Sequence, residues 1–291
     1  MAAILSGFRR GSADPTTRAS GRSGSSWWLA WPTPDGPVTA HLEQVADRRV
    51  VVTTWGSGAE WFAEQADCLL GSGDDISGFV PHHPVVAEAW RRLRGWRVPR
   101  SGLVVHALVP AVLEQKVTGR EAFGAHRRLV RRFGTPAPGP GAGLGLFVAP
   151  DASGWARIPS WEWVRAGVDP ARSDTIMRAL HSPGRLEACS GLAPGAARTR
   201  LRSVPGVGVW TAAEVAQRAL GDADAVSFGD FHVAKNIGWA LTGEPVDDAG
   251  LAELLEPYAG HRYRVQRLLE LAGPQRPRRG PRLAPRTHLP S

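Results

Sequence analysis

Cysteine is nearly absent: Cys68 and Cys189 are the only two in 291 residues. That number is too small for a disulfide framework, a four-cysteine zinc site or an iron–sulfur cluster, so both read as plain thiols. No run approaches the ~18 apolar residues of a membrane helix, and the apolar part of MAAILSGFRRGSAD is too short for a secretory signal. A cytoplasmic protein with no membrane partner is the expectation. No self-similarity at a solenoid period is apparent, which argues against a repeat array.

Acid is also missing where base is concentrated. The formal net charge is +8, but residues 1–22 carry Arg9, Arg10, Arg18 and Arg22 against Asp14, and residues 274–291 carry five arginines and no acid. The body between these tails is neutral, so bulk charge says little about partners. Unevenness says more. Residues 91–132 hold eleven basic side chains against Glu114 and Glu121, which fits either a solvated arginine face or contact with phosphates.

Residues 1–26 are rich in Ser, Gly and Arg and are expected to be a disordered basic tail, as are residues 274–291. Over 27–55 β-branched runs separated by Pro-Asp-Gly and Asp-Arg turn signals predict a short antiparallel sheet. With helical spacing at 58–70 and 84–94, this gives a small α+β domain over 27–100. From Gly102 the apolar period is three to four residues, so 101–273 is expected to be a helical domain, interrupted at PAPGPGAGLG (136–145) by a surface loop. The fold class expected is mainly α with a small N-terminal α+β domain.

The informative segment spans 194–241. Helical stretches at Ala196–Ser203 and Val209–Leu220 flank Val204-Pro205-Gly206-Val207-Gly208. Pro205 starts a tight turn, and the glycines permit positive φ and close approach to another chain. A Gly-x-Gly turn that opens a helix presents unpaired N–H groups backed by the helix dipole, which suits a phosphate; taken alone it can equally be only a turn. About twenty residues on, DADAVSFGDFHVAK places Asp230 after a glycine at the opening of another helix. There the carboxylate suits either an N-cap or chemistry.

LRSVPGVGVWTA followed by DAVSFGDFHVAK resembles the helix-hairpin-helix DNA glycosylases, in the branch of the 3-methyladenine glycosylases II that act on alkylpurines. The likeness covers most of 101–272, reaching back to LVVHALVPAVLEQKVTGREA, and the N-terminal sheet is similar to the extra domain of the bacterial inducible enzymes. The resemblance implies a monomeric hydrolase of base excision repair, associated with the nucleoid if bacterial. Its partner would be double-stranded DNA with damaged bases. It implies no cofactor, and a monovalent cation at the hairpin is compatible with it.

Residue by residue, the resemblance makes Asp230 the catalytic carboxylate, stabilising an oxocarbenium-like sugar and orienting water. It puts Pro205, Gly206, Val207, Gly208 and Thr211 on DNA, with Gln115 filling the gap beside the flipped base. Lys116 departs from the apolar wedge of some relatives. Strand-cleaving members carry a lysine where this chain has Trp210, and the only lysines are Lys116 and Lys235, so hydrolysis alone is expected. Trp210 and then Phe231 are the expected stacking surfaces for an electron-poor base, although Trp210 equally suits helix packing. Glu214 and Glu270 stand where relatives carry further aromatics. The alternatives are a non-catalytic DNA-binding module and a glycosylase for a deaminated or oxidised base.

Overall fold

The computed structural model describes residues 1–47 and 49–277. After helix α1 (Ala2–Leu5) the chain forms one antiparallel sheet of four strands in sequential order: β1 (Thr17–Ser20), β2 (Ser26–Thr33), β3 (Gly36–Ala46) and β4 (Arg49–Trp55). Pro34 and Asp35 reverse the chain between Thr33 and its partner Gly36, whose φ of +116° only glycine adopts without strain. Alternation along β2 sends Trp27, Leu29 and Trp31 to one face. There they pack with Val38, Ala40 and Leu42 of β3 and with Phe62 and Leu69 of α2 (Ala59–Leu69).

Two helical groups follow. In the first, α4 (Val104–Leu113) is surrounded by α5 (Gly119–Phe133), α6 (Pro170–Leu180), α7 (Pro194–Arg202) and α8 (Val209–Val215). Nine of the ten α4 residues are buried, as a helix apolar all round requires. Its first amides, Val104 and Val105, donate at 2.8 and 2.9 Å to the Glu187 carboxylate, which caps the helix from afar. A capping box of Thr118 and Glu121 starts α5.

The second group joins α3 (Pro84–Arg92) to α9 (Val233–Thr242), α10 (Asp248–Leu255) and α11 (Arg262–Ala272), around Val86, Ala89, Ile237, Leu251, Leu255 and Leu268. Arg264, fully buried, donates at 2.8 and 2.6 Å to the two oxygens of Asp74, so the segment leading into α3 is tied to α11. Among the described residues no helix is long and apolar enough to cross a membrane.

Three expectations need correction. Residues 1–26 are ordered: Leu5 and Phe8 enter the sheet core, Ile4 enters the α3/α11 core, and β1 pairs along β2. A few well-placed apolar anchors outweigh the polar average that suggested disorder. Helix α3 does not belong with the sheet, because its apolar face meets α11, so 27–100 is not one packing unit. Residues 136–145 are not a free loop. Strands β5 (Thr135–Pro136) and β6 (Phe147–Val148) bracket them, Ala137 and Leu146 pack on Ala30, and Thr39 Oγ1 donates to the Pro138 carbonyl at 2.7 Å. From Arg278 onward the C-terminal basic stretch lies outside the described residues.

Candidate active site

Helices α7 and α8 are joined by the turn 203–208. Gly206 takes φ +97°, and a Cβ there would lie 2.2 Å from Thr175 Oγ1 on α6. Arg178, one turn further along α6, donates Nε to the Pro205 carbonyl at 3.1 Å. Gln115, at the end of α4, donates Nε2 to both the Gly206 carbonyl (3.0 Å) and Thr211 Oγ1 (2.8 Å). The turn is thus held by its carbonyls from two helices, and the first amides of α8 are left without intrahelical partners. Gly208, which opens α8, faces open space: a Cβ there meets nothing within 4 Å.

These contacts set a steric test. Gly206→Ala should lower folding stability by about 2–4 kcal/mol, combining the positive-φ penalty with the clash on Thr175. Equal urea midpoints for the variant and the wild type would overturn the assignment of Gly206 as the packed corner.

Beyond α8 a single π-turn (Ala216–Leu220) leads into a loop fixed by its carboxylates. Buried Asp222 pairs with Arg198, and Asp224 pairs with Arg262 at 2.8 Å. The Ser227 amide donates to Gln266 Oε1 at 3.1 Å, and that of Gly229 to Asp248 Oδ2 at 2.8 Å. The loop is therefore anchored to α7, α10 and α11 before it delivers Asp230. Asp230 Oδ1 accepts from the amides of His232 (2.7 Å) and Val233 (3.1 Å), and its Oδ2 accepts from Trp210 Nε1 at 3.2 Å. Of the two sequence readings of Asp230, the structure shows the capping one, through the Val233 amide that opens α9; the half-buried carboxylate also meets the indole of α8. This three-donor shell keeps the oxygens in fixed positions.

The structure brings Asp230 to Trp210 and Gln115 to the hairpin; it does not gather the remaining candidates as expected. Phe231 is 71% exposed, with the Lys235 ammonium 4.1 Å from its ring centroid, so it walls no recess with Trp210. Glu214 is occupied by Arg218 Nη1 (2.8 Å) and Ser227 Oγ (2.7 Å). Burial works against its charge, but Arg218 and the Ser227 hydrogen bond outweigh it and hold the carboxyl below its ordinary value. Glu270 is likewise engaged by Gln266 and Arg267. Neither acid is a free carboxylate wall for a cationic base.

Thr211 and Val207 are buried at 2% and 5% exposure, and the Gln115 amide is spent on the hairpin. The Thr211 and Val207 side chains therefore support the turn from within, with Pro205, Gly206, Gly208 and Lys116 left on the surface. Lys116 has a φ of +55°, an uncommon conformation for a residue with a Cβ. Sequence reasoning missed Thr175 and Arg178, which no local signal links to a turn some thirty residues away. A cleft of about 300 Å³ flanks the other side of α8, lined by Arg198, Arg202, Val209, Phe228 and Arg262 among others, with neither Trp210 nor Asp230 in its walls. Among the described residues no group of three or more His, Cys, Asp or Glu could hold a metal ion.

No family model matches the chain. Over 174 residues it is 33% identical to a Mycobacterium tuberculosis protein named probable bifunctional transcriptional activator/DNA repair enzyme AlkA, a match covering 58% of this chain. The chain spans about a third, 32%, of that relative's length. Among solved structures, a 3-methyladenine DNA-glycosylase from Archaeoglobus fulgidus superposes with a TM-score of 0.72 at 18% identity, covering 92% of this chain and 93% of the other. An 8-oxoguanine glycosylase/lyase from Clostridium acetobutylicum gives 0.67 at 13% identity, with 90% of each chain covered. Both architectures run through the sheet and the two helical groups described above. The fold of this chain is the one these two solved glycosylase structures share.

Proposed function

We propose that the protein is a monofunctional DNA glycosylase of base excision repair that flips out alkylated purines of the 3-methyladenine type and hydrolyses their glycosidic bond, leaving an abasic site. The observation that carries the proposal is the Asp230 carboxylate, held by Trp210 Nε1 and two amides behind a hairpin whose turn faces outward. The relatedness to a protein named as a DNA repair enzyme supports the same reading.

Breaking the bond between sugar and alkylated base develops positive charge on the sugar. A carboxylate that is already oriented stabilises that charge without reorganising, and its second role is to align or deprotonate the attacking water. Trp210 contributes by fixing Asp230 Oδ2 and by offering an indole face beside it for the base. The Gly206 and Gly208 amides and those at the start of α8 face a backbone phosphate of duplex DNA. Lys116, exposed on the turn after α4, enters the space that the base vacates.

Incubation with methylated genomic DNA, with the released bases identified by mass spectrometry, tests the proposal directly. Release of 3-methyladenine-type purines is expected. No release of any base favours a DNA-binding module without chemistry, and release of deaminated or oxidised bases alone moves the specificity elsewhere. The product strand should remain intact, because Trp210 stands where an attacking amine would be needed. A covalent protein–DNA adduct trapped by borohydride would contradict that.

Gly208→Asp probes the phosphate contact. Open space around Gly208 means that the variant should fold with an unchanged melting temperature. Its carboxylate should weaken binding to damaged and undamaged duplexes alike, by roughly tenfold or more, since a phosphate contact carries no lesion information. A folded variant with wild-type affinity would move the DNA anchor to the arginines of α5.

A further inference from the structure

The N-terminal segment bridges the sheet, the α3/α11 core and the ends of α4 and α8. Ile4 packs in the α3/α11 core, while Leu5 and Phe8 pack in the sheet core. Arg267 Nη2 on α11 donates to Ser6 Oγ at 3.1 Å, and Arg218 Nε, following α8, donates to the Gly7 carbonyl at 2.8 Å. Asp14 folds the segment back on itself, accepting from the Arg10 amide at 2.6 Å and the Thr16 amide at 2.8 Å. The result is that Arg10, 8% exposed, points its guanidinium at the end of α4, where Nη1 lies 3.0 Å from Glu114 Oε1.

Burial lowers the Arg10 guanidinium from its ordinary value, and Glu114 is the strongest of the groups that oppose this. Replacing a buried ion pair with apolar groups is often neutral for stability, so its placement calls for a reason other than stability. Glu114 closes α4, the next residue is the hairpin clamp Gln115, and the one after that is Lys116 at φ +55°. Three consecutive residues thus carry the ion pair, the clamp and the strained exposed turn.

We propose that Arg10 is a positioning residue: through Glu114 it holds the Glu114–Gln115–Lys116 turn against the hairpin, in the geometry that excision needs. The activity arm of the test rests on the function proposed above, and a second arm does not. Arg10→Gln and Arg10→Lys are compared with wild type for melting temperature, affinity for duplex DNA holding an abasic analogue, single-turnover release from methylated DNA, and amide exchange over residues 112–118. Arg10→Gln is expected to release base about tenfold or more slowly, a size that misplacement alone can reach, with affinity within about threefold and faster exchange at 114–118. Arg10→Lys, which restores the charge, should recover much of the rate.

A folded Arg10→Gln protein with wild-type exchange at 114–118 overturns the proposal, whatever its rate. Equal losses of rate, affinity and stability without rescue by lysine also overturn it, by reducing the pair to general packing. If wild type itself releases no base, the proposed function fails, and faster exchange at 114–118 in Arg10→Gln still decides for the positioning role.

Discussion

Asp230→Asn should release methylated purines at least about 100-fold more slowly than wild type in single turnover, with duplex affinity nearly unchanged. The substitution is nearly isosteric, so Oδ1 can still accept from the His232 and Val233 amides and the start of α9 should survive. The charge opposite the developing oxocarbenium is what disappears. In addition, the amide nitrogen that replaces Oδ2 cannot accept from Trp210 Nε1. Stability should therefore change much less than rate. Because Asp230 demonstrably caps α9, the two measurements must be made together. A rate within threefold of wild type sinks the catalytic assignment, whereas a collapse of the melting temperature would show that capping is the larger part of its role.

Acid should destabilise the protein well before its carboxylates protonate. His126 on α5 is 3% exposed with its Nδ1 unpartnered, and His106 on α4 packs on Trp31 at 5.1 Å between ring centroids. Burial pushes His106 from 6.5 down to about 3, with His126 and Arg10 adding to the effect. Burial likewise pushes His126 down to about 4, opposed by Asp14 and assisted by Arg10. Both rings are therefore neutral in the fold, while in the unfolded chain they take up a proton below about 6.5. The unfolded state then binds more protons, so stability falls as pH drops below that value, until the folded histidines titrate near 4 and 3.

Each histidine contributes about 1.4 kcal/mol per pH unit over this window, which makes the combined loss between pH 7 and pH 5 about 4 kcal/mol. Urea midpoints at the two values measure it. His126→Asn, which removes one titration, should reduce the loss by about half. Equal stability of wild type at pH 7 and pH 5 would show that the rings are not held neutral.

What was legible in the sequence is what depends on neighbours along the chain. Val204-Pro205-Gly206-Val207-Gly208 can make a tight turn between two helices whatever surrounds it, and Gly206 does take the positive φ its residue type allows. Asp230 follows a glycine at a helix start, so its cap on α9 is encoded within three residues. The alternation of Trp27, Leu29 and Trp31 likewise announced a half-buried strand, because side-chain direction along a strand alternates without reference to anything else.

Tertiary structure alone decided who the partners are. Gln115 reaches the hairpin across ninety or so residues, and the clamp exists only because α4 and α8 pack together. Glu214 loses its freedom to Arg218, one turn away and therefore readable, but also to Ser227 on a loop that only folding brings back. Composition over residues 1–26 averaged Leu5, Phe8 and Arg10 into a polar tail, although the first two pack in the sheet core and Arg10 pairs with Glu114 at the end of α4. Periodicity shows that a helix such as α3 has an apolar face; it carries no information on which of several apolar faces will cover it, since burial is rewarded by area and shape and not by sequence proximity.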